Sequence, residues 1–199
     1  MVPQMKQAVV SDRLIKWLSS GIELRGRKVQ GYWVKVVPHP AATRSNCDAN
    51  VAAQIRDHGG EPEYVWDAGE TGPFLELEAH VIWKGPDGKF LDVSPSLVGA
   101  GRHFVFPSQE QFHRPFPGNI IIPLADDEKV RHIAAYLMMA HAVLAPYRKV
   151  GPNTFTRANL QMWIHDFLRQ EKVDADPAEL LRSCLTVIQG WNRGAARSN

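Results

Sequence analysis

The sequence predicts an α+β protein, with a mixed core to about Pro123 followed by three helices. Strand-like alternation dominates residues 28–122, helical spacing takes over after Pro123, and a helix-like stretch at Cys47–His58 interrupts the strands. With 199 residues, 44% of them hydrophobic and 22% charged, the chain can bury a real core and has the composition of an ordinary globular protein. The expected division is 1–123 as the core and 124–199 as a helical region, packed on it or forming a small subdomain.

In chain order, Ser11 is placed to cap a short helix from Asp12 to Ser19, with Leu14, Ile15, Trp17 and Leu18 as its apolar positions and Gly21 as its stop. Lys28 to Val37 alternates and is rich in β-formers, so it reads as one strand ending at Pro38-His39-Pro40. Ser45 or Asn46 then caps a helix that Cys47 opens and Gly59-Gly60 ends. Glu63–Trp66 reads as a brief strand. Phe74–Trp83 is the clearest one, with Leu75, Leu77, Ala79, Val81 and Trp83 on one face and Glu76, Glu78 and His80 on the other. Pro86-Asp87-Gly88 signals a hairpin into Lys89–Val93, and short strands follow at His103–Phe106 and Ile120–Ile122. Gly99-Ala100-Gly101 lacks the strand, helix and Lys-Ser/Thr context of a phosphate loop and reads as a turn. Beyond Pro123, helices are expected from Asp126 to Leu144, from Thr156 to Gln170, and from Asp176 through Trp191.

The formal net charge is +2 with scattered basic residues, which argues against a nucleic-acid partner. No run approaches the roughly eighteen apolar residues of a membrane span, so no membrane partner is expected. Residues 1–11 lack the apolar core and cleavage site of a secretory signal, so the expectation is a cytoplasmic location with Cys47 and Cys184 reduced.

A thiol at a helix start, a histidine in one strand and an aspartate in the next are the parts of a cysteine nucleophile site. A helix N-terminus favours the thiolate, which is the attacking species. A histidine must exchange its proton, and a third polar group must fix the imidazole. Cys47, His80 and Asp92 fit these roles: the turn near Asp87 folds position 80 to face about 93 or 94, close to Asp92. Singly, each residue has an ordinary reading, as a structural cysteine, a surface histidine and a turn aspartate. Glu78 projects from the same face as His80, able to tune the imidazole or contact a basic substrate group, or simply to be solvated. Trp66 is a candidate pocket wall, with core packing the ordinary alternative. For metal binding, Cys47, His58, His80 and Asp92 are zinc-compatible types, but the spacings of known zinc motifs are missing and Cys47 and His58 lie about three turns apart on one helix. No metal and no other cofactor is expected.

The order Cys47, His80 about thirty residues on, and Asp92 about a dozen further resembles the transglutaminase-like branch of the papain-like cysteine enzymes. The matching pieces are Asn46-Cys47, His80-Val81-Ile82-Trp83, Gly88 and Asp92-Val93-Ser94-Pro95. The segment Arg44–Pro95 is also similar to uncharacterised bacterial proteins with a Cys-x-x-Asn-Val helix and a Glu-x-His…Asp-x-Thr/Ser-Pro hairpin. Asn46 stands where many members of the branch carry an aromatic, and the aspartate is followed by Val93-Ser94-Pro95 rather than directly by proline. The resemblance implies a papain-like core, its cysteine helix packed on a small antiparallel sheet, and a Cys47–His80–Asp92 triad. Gln30, by its position before the cysteine, or the Asn46 amide with the Cys47 N–H, is the candidate oxyanion donor. The expected function is acyl transfer, chiefly hydrolysis of an amide or isopeptide bond in a protein or peptide-like substrate through a thioester. The alternative is an inactive papain-like scaffold that binds a protein through its C-terminal helices, with Trp163, Phe167 and Trp191 as anchors.

Overall fold

The computed structural model describes residues 11–24, 26–44, 46–96, 101–113, 117–144 and 155–196. The readings at Ser45 and at Gly99-Ala100, and the side chain of Trp191, lie outside the described residues. The chain divides into two compact units, Met1–Phe112 and His113–Asn199.

The first unit opens with helix α1 (Asp12–Ser19), whose Leu14 N–H donates to the Ser11 hydroxyl at 3.3 Å. A small antiparallel ribbon follows, β1 (Ile22–Leu24) with β2 (Arg27–Val29). The single strand expected over Lys28–Val37 is thus two: the chain breaks at Gln30-Gly31 before β3 (Tyr32–Val36). Gly31 is required there, because a Cβ would overlap the Phe104 ring. Helix α2 (Cys47–His58) leads into β4 (Glu61–Thr71), an 11-residue strand where a brief one was expected. It pairs along its whole length with β5 (Phe74–Lys84), from Glu61↔Lys84 to Thr71↔Phe74. Then come β6 (Phe90–Asp92) and β7 (Arg102–Pro107).

These strands close on themselves. β5 pairs antiparallel with β6, β6 parallel with β3, β3 antiparallel with β7, and β7 antiparallel with β4, which returns to β5. The result is a closed five-stranded barrel in the order β3-β6-β5-β4-β7. It overturns the expected papain-like or transglutaminase-like core, in which a cysteine helix packs on an open antiparallel sheet. The misreading has a physical cause. In an open sheet the apolar face of β5 (Leu75, Leu77, Ala79, Val81, Trp83) would be the inward one and the His80 face the wet one. Here the apolar face is the barrel's outer surface, buried with α2 packed against β5, and the His80 face turns inward.

A five-stranded barrel is too narrow to enclose anything but its own side chains. Its centre is Val34, Val65, Ile82 and Val105, with Tyr32 and Phe90 packed against them.

The second unit contains β8 (Ile120–Pro123) and three helices, α3 (Glu128–Leu144), α4 (Arg157–Glu171) and α5 (Pro177–Ala196). Leu144, Leu160, Ile164, Leu180 and Cys184 form its core. Trp163 belongs to that core and Phe167 packs against it, so both aromatics serve their own unit. Among the described residues no helix is long and apolar enough to cross a membrane.

Candidate functional site

Strand alternation puts every second residue of a barrel strand inside. Two positions beyond the apolar centre, four strands carry an ionisable residue in place of an aliphatic one. Ile82 is followed inward by His80, Val65 by Asp67, Phe90 by Asp92 and Val105 by His103. The steps run backward on β5 and β7 and forward on β4 and β6, as their antiparallel pairing demands, so all four lie at one end of the barrel.

Asp92 is the hub of this polar end and is 1% exposed. Its Oδ2 accepts from His80 Nε2–H at 2.9 Å and lies 2.9 Å from His103 Nδ1. Its Oδ1 accepts the Ser94 N–H at 2.9 Å. His103 Nδ1 also lies 3.4 Å from Asp67 Oδ2, and His103 Nε2 is 3.3 Å from the Ser96 hydroxyl. Although close to both carboxylates, buried His103 Nδ1 makes no well-directed hydrogen bond.

The electrostatics follow from burying opposite charges together. For Asp92, burial pushes the carboxyl up, but the His103 and His80 imidazoles beside it outweigh that and hold it well below the usual carboxylate range. For His80, burial pulls down, yet the hydrogen bonds to Asp92 and to Cys47 raise it well above the ordinary imidazole value. His103 is raised against the same burial by Asp92 and Asp67. Asp67 is pushed up to about 6 by burial, with His103 and His80 pulling the other way.

Cys47 arrives at this end because β3 leaves the barrel there. Past Val36 the chain keeps pairing with the end of β6, Val37 N–H donating to Asp92 O and His39 N–H to Val93 O. The loop to α2 is then fixed twice. The Ala41 N–H donates to His39 Nδ1 at 3.1 Å, which leaves Nε2–H to donate to Asp57 of α2 at 3.1 Å. Nearer the cysteine, buried Asn50 accepts the Thr43 N–H at 2.9 Å and donates to Thr43 O at 2.8 Å and to Ser94 Oγ at 3.1 Å. One amide thus ties the cysteine loop, the cysteine helix and the residue whose N–H holds Asp92. Half-buried Cys47 opens α2 beside His80, whose imidazole its side chain helps raise.

Asn50→Ala is expected to destabilise the fold by about 1–3 kcal/mol, because it removes the three hydrogen bonds of a buried side chain and leaves buried Ser94 Oγ without that donor. It should also slow alkylation of Cys47, whereas a merely structural loss would leave that rate unchanged in the folded protein. Denaturant melts and a labelling time course check the two effects separately.

The structure therefore brings Cys47, His80 and Asp92 together. Glu78 lies directly across from Asp67, exposed at the rim, and its charge helps raise Asp67. Asn46 is the N-cap residue of α2, but its side chain makes no capping bond to the helix; its Nδ2 donates to Thr43 Oγ1 at 3.4 Å. Gln30 is exposed just before β3, at the end of that strand away from Val36. Trp66 points outward from the barrel, edge-on to Phe112 with ring centroids 5.0 Å apart. His103, Asp67 and Asn50 were not singled out from sequence. The signal for the first two is their place two residues from an interior valine, informative only once the barrel is known to close. The transglutaminase-like resemblance does not survive the closed barrel, and comparison with family models, curated proteins and solved structures finds no match for this chain.

Proposed function

We propose that this protein is a cysteine-nucleophile acyl-transfer enzyme that hydrolyses an amide or isopeptide bond. The observation that carries the reading is the placing of Cys47 beside His80, whose Nε2 in turn meets buried Asp92 at 2.9 Å. Asp92 takes the His80 Nε2–H, which leaves Nδ1 as the nitrogen that exchanges a proton with the thiol. The raised affinity of His80 for its proton favours the imidazolium, the state that accompanies an attacking sulfur.

In this scheme Cys47 Sγ adds to the carbonyl carbon to form a tetrahedral oxyanion. The N–H groups of the first turn of α2, which the Asn46 side chain does not cap, stabilise it. Collapse breaks the C–N bond as His80 protonates the departing amine, leaving a thioester. Water, giving up a proton to His80, releases the acid and restores the thiol.

The test is alkylation by iodoacetamide near neutral pH. Cys184 is a weak comparator, because burial pushes its thiol up to about 12 and removes it from solvent. The sharper comparison is Cys47 in wild type against His80→Gln, expected to be slower by roughly tenfold or more as the imidazole that takes the thiol proton is lost. Equal rates would end the proposal. Screening peptide, isopeptide and glutaminyl-amide substrates then identifies the acyl donor.

A further inference from the structure

The polar end of the barrel holds more ligand atoms than a Cys–His–Asp line uses. His80 Nε2, His103 Nδ1 and an Asp92 oxygen all lie within 4.8 Å of one another. They come from three strands, β5, β7 and β6, whose mutual positions the closed barrel fixes. Both imidazole nitrogens lie 2.9 Å from the same oxygen, Asp92 Oδ2, so three atoms that can ligate a cation once the imidazoles give up these protons converge on one small space.

His103 supplies a second, independent pointer. Its Nδ1 is buried and has no well-directed hydrogen bond, although it faces two carboxylates. A buried polar atom in that condition is costly unless something else engages it. Its other nitrogen, Nε2, sits 3.3 Å from the Ser96 hydroxyl. With Nε2–H directed at that hydroxyl, Nδ1 faces the cluster and offers its lone pair once a cation displaces its proton, which is the outer-shell pattern that orients a metal-ligating imidazole. Asp92 is oriented in the same manner, its Oδ1 held by the Ser94 N–H and its Oδ2 turned toward the histidines.

We propose that His80, Asp92 and His103 form a binding site for a late first-row divalent cation, of which zinc is the representative. Two imidazoles and a carboxylate select zinc-like ions over magnesium or calcium, which prefer oxygen ligands throughout. Metal–nitrogen and metal–oxygen distances of about 2.0–2.1 Å put tetrahedral ligand atoms roughly 3–3.5 Å apart. The side chains therefore need to close a separation of up to 4.8 Å by roughly 1.3–1.8 Å. The Asp67 carboxylate, 3.4 Å from His103 Nδ1, stands beside that ligand nitrogen.

Binding of the ion stands on this geometry alone. Its consequence rests on the thiol reading: a cation on His80 Nε2 and Asp92 takes both groups that orient and exchange the proton, so zinc silences the nucleophile and its removal restores it. Such a site would make the enzyme responsive to free zinc.

The experiment is titration of chelator-stripped full-length protein with zinc by calorimetry, beside His103→Gln, with folding of each checked by circular dichroism. One zinc per chain, with affinity reduced at least tenfold in the variant, supports the site. No saturable binding to wild type, or the same affinity in wild type and folded variant, overturns it. If the variant does not fold, cobalt(II) absorption of the wild type decides: visible bands of a four-coordinate ion that zinc displaces support the site, and a spectrum of aqueous cobalt overturns it. Alkylation of Cys47 with and without one equivalent of zinc tests the consequence. Failure of the thiol reading shows as slow alkylation already in stripped protein; failure of the metal site shows as no uptake by protein that alkylates rapidly.

Discussion

Replacing Asp92 with alanine is expected to destabilise the fold by about 3–5 kcal/mol near pH 5.5, because it leaves a buried cationic cluster without its anion. The carboxyl is 1% exposed and three groups converge on it: His80, His103 and the Ser94 N–H. The loss should depend on pH in a definite sense. A carboxyl held below its unfolded value contributes fully above about pH 4, and this fades as pH falls through the depressed native value. Histidines held above their unfolded value contribute fully below roughly pH 6.5, and this fades as pH rises through their native values. The gap between wild type and Asp92→Ala should therefore be widest between about pH 4 and 6.5 and narrow on both sides. Urea unfolding at about pH 3, 5.5 and 9 measures it; a gap of the same size at all three values would show that the charge cluster contributes nothing. If alanine is not tolerated, Asp92→Asn keeps the shape and removes the charge, and the same pH pattern is expected.

The second large effect is catalytic. Cys47→Ala should reduce turnover to background, a loss on the order of 10⁴–10⁶-fold for a nucleophile. Stability should change by less than about 1 kcal/mol, because the side chain is only half-buried at the start of a helix. Mass spectrometry of wild type quenched during turnover should find the acyl group on residue 47. Turnover surviving in the alanine variant, or an adduct elsewhere, would remove the mechanism.

Much of the local structure was legible. The helix at Cys47 ends at its Gly59-Gly60 stop, although the side-chain cap expected from Asn46 is not made, and the β5–β6 hairpin follows from Pro86-Asp87-Gly88. The observed pairs Trp83↔Leu91 and Lys84↔Phe90 put Asp92 on the same face as His80 and one pleat away, close to the position the turn implied. Closure was not legible. It depends on the parallel pairing of β3 with β6 and on β7 reaching both β3 and β4, contacts between segments far apart in sequence that no turn signal announces. Without closure, His103 is a polar residue in a short strand and Asp67 falls beyond the expected end of its strand. With closure, each strand's polar exception lands on the others.

The parallel β3–β6 pairing also sets the order in which the polar end can assemble. Cys47 leaves the ribosome early, whereas Asp92 and His103 are made 45 and 56 residues later. The lines from the thiol to its histidine and from histidine to aspartate need β6 seated beside β3, with the whole β4–β5 hairpin already emerged. A nascent or prematurely terminated chain therefore lacks this cluster, which exists only in a molecule whose barrel has shut.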